Sequence, residues 1–162
     1  MPLSRGSAHF VFADPALMAS SFSAQVDAWT QQSKERLEAV FHKAAEKVAE
    51  EVVARSPIRT GFLRHSFTAS GSQMPIMRAN ARPQDGQSYA FDSGPVNLVI
   101  LGVPLGRTVF LGFAAGYAGF VEFGARGRPP VGMVRLTAQR WPQIVNEAVS
   151  EAKAAVAANS RR

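Results

Sequence analysis

Cysteine is absent from the chain. With it go disulfide staples, thiolate catalysis and thiolate metal sites. Histidine is scarce: His9, His42 and His65 fall in three different contexts, with no metal-ligand spacing between any two and no carboxylate pair nearby. His42 lies beside Phe41 in a helical pattern and His65 in a strand pattern, so both read as structural. No apolar run reaches the roughly 20 residues that a membrane-spanning helix needs. The greasiest window, Val96 to Phe113, is broken by Pro104, Gly106 and Arg107. The first residues carry one charge, Arg5, and no continuous apolar stretch of signal-peptide length, so no targeting segment is expected. Gly102-Val103-Pro104-Leu105-Gly106 is not a phosphate loop, because it lacks the Gly-Lys-Ser/Thr ending and a following helix. The expectation is a chain that is not an enzyme and takes neither cofactor nor metal.

What is present suits one folded domain. The 162 residues are 46% hydrophobic and 19% charged, ordinary globular values that allow a real core. The net charge of +6 is unevenly spread. Between Ser56 and Pro130 all seven basic residues are arginine (Arg59, Arg64, Arg78, Arg82, Arg107, Arg126, Arg128), against Asp85, Asp92 and Glu122. Arginine carries a planar, permanent charge suited to carboxylates, phosphates and interfaces. Scattered along a sequence, however, it serves equally as solubilising charge on loops.

Hydrophobic periodicity divides the chain. Residues 1–22 form a polar arm with isolated apolar side chains. From Ser23 to Arg55, Val26, Trp29, Ser33, Leu37, Val40, Phe41, Ala44, Val48 and Val52 recur at spacings of three and four, one stripe of an amphipathic helix. Such a helix would be roughly 50 Å long, more than a small domain needs. It is therefore either kinked or covered in part by another chain. Pro57 to Gly61 reads as a turn, and Phe62 to Ser70 as a strand. Residues 71–95 read as a long loop. Three further short strands are expected at Val96–Val103, Arg107–Phe113 and Tyr117–Phe123. A second helical stripe (Val131, Val134, Ala138, Trp141, Val145, Ala148, Ala152, Val156) follows, kinked or split at Pro142, and residues 159–162 form a polar tail. The fold class expected is α+β: a long N-terminal helix, a four-stranded antiparallel sheet, and a C-terminal helix on the same sheet face, all in one domain over residues 23–158.

Two phrases stand at the junctions of these patterns. The first contains Pro57, Thr60, Gly61, Leu63, Arg64 and Ser66. The second contains Tyr117, Ala118, Val121, Glu122, Phe123 and Gly124, and leads through Arg128-Pro129-Pro130 into the last helix. Glu122 is the one acidic residue inside an apolar segment, read as the salt-bridge partner of an arginine across a subunit boundary. Trp29 and Trp141 sit on stripe positions and read as core.

In their order and spacing, over residues 35 to 150, these phrases resemble the neck and tail-completion proteins of long-tailed bacteriophages, often labelled head-tail joining or minor tail proteins. The resemblance implies a virion protein assembled in the host bacterial cytoplasm. It implies a homo-oligomeric ring, six copies favoured and twelve the alternative. The ring would join the head-closure or adaptor ring to a tail terminator or the tail tube, with DNA passing through its channel unread. Interface roles would fall on Pro57, Thr60, Gly61, Leu63, Arg64, Tyr117, Glu122, Phe123, Gly124 and Pro130. Arg78, Arg82, Arg126 and Arg128 would face partners or the channel. The alternative, a small basic DNA-binding protein, rests on net charge alone and lacks a recognisable reading module.

Overall fold

The computed structural model describes residues 15–125 and 127–159, with side chains from Ser21 to Ala158. Helix α1 runs unbroken over Pro15–Arg55. It starts eight residues before the expected Ser23, with Pro15 in a first-turn position where its missing N–H costs nothing. The chain divides into two units, Met1–Glu35 and Arg36–Arg162. The described part of the first is α1 alone.

In the second unit the order is the rest of α1, then α2 (Phe62–His65), β1 (Phe67–Ser70), α3 (Gly94–Gly102), β2 (Phe110–Phe113), α4 (Ala118–Phe123), α5 (Met133–Gln139) and α6 (Trp141–Asn159). The class is mixed helix and sheet, as expected, but the sheet among the described residues has two strands, not four. β1 and β2 pair antiparallel, Phe67 opposite Phe113 and Ser70 opposite Phe110.

The expected strand at Val96–Val103 is helix α3, and that at Tyr117–Phe123 is helix α4. A short apolar run fits a strand and a buried helix equally well, and periodicity cannot separate them. Burial does so here. Val96 and Ile100 are buried four apart on α3, as are Ala118 and Glu122 on α4, a helical rather than an alternating pattern. Pro95 lies in the first turn of α3, where a proline favours a helix start. The first half of the expected Phe62–Ser70 strand is also a helical turn, closed by His65 N–H to the Gly61 carbonyl at 3.0 Å and Ser66 N–H to that of Phe62 at 2.9 Å.

The main core gathers Ala45, Ala49, Val52 and Val53 of α1 with Leu63, Phe67, Val96, Ile100, Phe113, Ala115, Ala118 and Met133. α6 packs on α1 rather than on the sheet: Ile144 and Ala148 close over Ala44, flanked by Val40, Val48 and Val145. The two helices run antiparallel, since Arg140 pairs with Glu51 while Glu147 and Glu151 pair with Lys47. The C-terminal stripe is split at Arg140, two residues before Pro142. Its buried phase is Met133, Thr137, Ile144 and Ala148, while Val131, Val134 and Trp141 from the expected stripe are exposed.

Loop 71–93 is stitched down at several points. Arg78 N–H bonds the Ala114 carbonyl at 2.9 Å, Gly116 N–H that of Ala81 at 3.2 Å, and Tyr89 N–H that of Thr60 at 2.8 Å. Both described histidines act as struts: His42 Nε2–H donates to the Val103 carbonyl at 2.8 Å, and His65 Nδ1–H to that of Ala90 at 3.0 Å.

Candidate assembly interface

The first phrase forms a clamp on the end of α1. The last carbonyls of a helix have no intrahelical partner. Arg64 supplies one: its Nε and Nη2 donate to the Ser56 carbonyl at 3.0 and 2.7 Å, and Nη2 reaches that of Ala54 at 3.1 Å. Ser56 is buried and bonds back to the Val52 carbonyl through Oγ at 2.8 Å. Gly61 reverses the chain at φ 80°, and a Cβ there would stand 2.0 Å from the Tyr89 carbonyl oxygen, so only glycine fits. Leu63 is buried in the core. Thr60 Oγ1 accepts from Phe62 N–H at 3.4 Å, and Pro57 is exposed.

The second phrase forms another cap. Glu122 is only 6% exposed. Its carboxylate accepts from the backbone N–H groups of Val134 (2.9 Å) and Arg135 (3.0 Å), the first turn of α5, and from Arg135 Nε at 3.2 Å. Burial alone would push this carboxyl up. The two amide bonds and the Arg135 guanidinium outweigh that and hold it below the ordinary glutamate range. The expected arginine partner therefore exists, but it is Arg135 of the same chain and not one across a subunit boundary. Gly124 (φ 78°) lets the chain turn so that Val131 N–H meets the Val121 carbonyl at 3.0 Å. A Cβ at Gly124 would lie 2.8 Å from the Arg128 carbonyl oxygen.

The two phrases meet through their aromatics. Phe62 stacks on Tyr117 with centroids 6.4 Å apart and meets Tyr89 edge-on at 5.0 Å. Burial raises the Tyr117 hydroxyl above its ordinary pKa.

Most conspicuous residues of both phrases thus hold the fold, and the surface free for a partner lies beside them. Phe123 is 67% exposed with the Arg135 guanidinium 5.2 Å from its ring centroid, and Phe120 is equally bare. Exposed aromatics beside arginine are the composition of interface anchors. Pro130, Arg78, Arg82 and Arg128 are exposed, whereas Arg126 lies outside the described residues. Sequence reading missed Phe120 and Arg135. Their signal was present in the spacing of Phe120 and Phe123, which share a helical face but would share no face of a strand.

Among the described residues no group of three or more His, Asp or Glu could hold a metal ion, and no helix is long and apolar enough to cross a membrane.

A family model described as "Bacteriophage HK97-gp10, putative tail-component" matches residues 20–124, well over half of the chain. The chain belongs to the HK97-gp10-like family. It is accordingly a bacteriophage structural protein of the tail-component class, as the sequence resemblance indicated. No curated protein and no solved structure matches it. The HK97-gp10-like match takes in both phrases and the exposed α4 aromatics and ends at Gly124. The Glu122–Arg135 cap thus ties the matched part to the following helices.

Proposed function

We propose that this tail-component protein is a non-catalytic part of the phage neck. Copies of it close into a ring, six favoured and twelve the alternative, that joins the head-closure or adaptor complex to the tail terminator or tail tube. One observation carries this reading beyond the family: the surplus of large apolar side chains left in water. Phe22 and Trp29 on α1, Leu98 on α3, Phe120 and Phe123 on α4, and Trp141 on α6 are all at least half exposed. Phe120 and Phe123 share one helical face of α4, and an exposed apolar patch of this kind marks a binding face. Exposed arginines at positions 78, 82 and 128 would meet acidic neighbours or line the channel through which DNA passes.

The test is a phage carrying both Arg126→Glu and Arg128→Glu. The protein should fold, while filled heads and finished tails accumulate unjoined. Normal yields of infectious particles would overturn the reading. Tight, steeply salt-dependent DNA binding by the purified chain would favour a DNA-binding role instead.

A further inference from the structure

We infer that the N-terminal half of α1 is a docking arm whose apolar stripe seats on the exposed face of α3 in the next copy of this chain. The inference rests on the ring reading above and names the surfaces that would close it. The arm carries Phe22, Val26 and Trp29 at spacings of four and three, on the same helical face as Val40, Ala44 and Val48. Farther along, that face is an established interface, where α6 covers it with Ile144, Ala148 and Val145. In the arm it stays bare, with Phe22 and Trp29 each 69% exposed. The stripe therefore repeats in the arm the spacing that α6 covers farther along, with its own large apolar side chains exposed among the described residues.

The acceptor is bare in the same way. α3 buries Val96 and Ile100 but leaves Leu98 and Leu101 outward, 73% and 55% exposed, with Leu105 exposed just beyond. It is also held firmly. Leu105 N–H donates to the Glu38 carboxylate at 3.3 Å, and the Val103 carbonyl accepts from His42. A partner would meet a fixed surface with little to order on contact.

Charge matches the two surfaces. Between residues 15 and 33 the only charged side chain is Asp27, and between 93 and 106 there is none. An exposed helix normally carries charge along its solvated face, so two long stretches with a single charge between them are best explained if each covers the other. Their lengths agree as well. Phe22 to Trp29 spans about 10 Å of helix, and the nine residues of α3 about 13 Å.

Head-to-tail seating is favoured over a symmetric pair of arms. An arm-to-arm contact would cover the stripe, leave α3 bare and stop at two copies. A heterologous contact covers both surfaces and propagates until it closes. The three arm side chains would bury roughly 400 Å², about half of what one partner contributes to a standard interface. The exposed α4 aromatics are available to supply more.

Because the chain has no cysteine, introduced thiols report without background. Trp29→Cys and Leu101→Cys are combined in one full-length chain and oxidised, both in purified protein and in particles grown from a phage that carries the pair. Disulfides form only when the two Cα atoms come within about 7 Å. A ladder of covalent multimers from the double variant, with monomers from each single variant, is the expected result. A dimer from Trp29→Cys alone would mean arm-to-arm pairing and overturn the inference. So would a double variant that stays monomeric in both samples. Counting copies per particle by mass spectrometry reads the ring separately: many copies without a ladder would remove this contact and leave the ring reading standing.

Discussion

At the scale of single residues, the phrases that stand out in the sequence act mainly as caps. Glu122 satisfies two orphan N–H groups of α5 from a buried position. Glu122→Gln should therefore cost about 1–3 kcal/mol at neutral pH, read as a fall in the denaturation midpoint. Since the folded carboxyl titrates below its ordinary value, its stabilisation is complete above the unfolded pKa. It is lost as pH falls through the lower, folded one. The gap between wild type and Glu122→Gln should accordingly close on acidification below pH 4.5, and a gap that widened there would refute the cap. Gly61→Ala forces a side chain into the Tyr89 carbonyl at positive φ. A loss on the order of 3 kcal/mol is expected in chemical denaturation, with Tyr89 and loop 71–93 displaced from α2.

Among elements, what decided success in reading the sequence was segment length. α1 could be recognised because a stripe sustained over many turns fits no strand. α3 and α4 were misread because runs of nine and six residues supply too few repeats to separate the two periods. α6 was recognised as a helix, but its expected stripe was rotated by part of a turn from the face it buries. Val145 and Ala148 of the expected stripe do pack on α1, but the fully buried Ile144 lay off that stripe, while Trp141 on it is half exposed, because what the helix packs on is α1 and not a sheet. The Glu122 cap was equally hidden, since its partner lies thirteen residues on, past two prolines. The rotated phase gives a direct comparison. Ile144→Ala empties a fully buried position and should lower stability by about 2–5 kcal/mol. Trp141→Ala, half exposed, should change the free chain by less than about 1 kcal/mol. Equal losses in thermal melts would mean that the helix is turned otherwise.

For the molecule as a whole, sulfur remains only in its five methionines, and they are placed unequally. Met133 is sealed in the core, whereas Met74 and Met77 stand on loop 71–93 at 59% and 56% exposure. Thioether oxidation turns an apolar side chain into a polar sulfoxide, and access governs its rate. A peroxide-treated sample of free protein should gain mass at the peptides holding Met74 and Met77 well before the one holding Met133, as peptide mass spectrometry would record. Equal rates at all three would show that the core opens readily. The same two thioethers make the chain its own dosimeter: how fast they age in a stored phage stock, against the free protein, measures how much of that loop the finished particle has taken out of solvent.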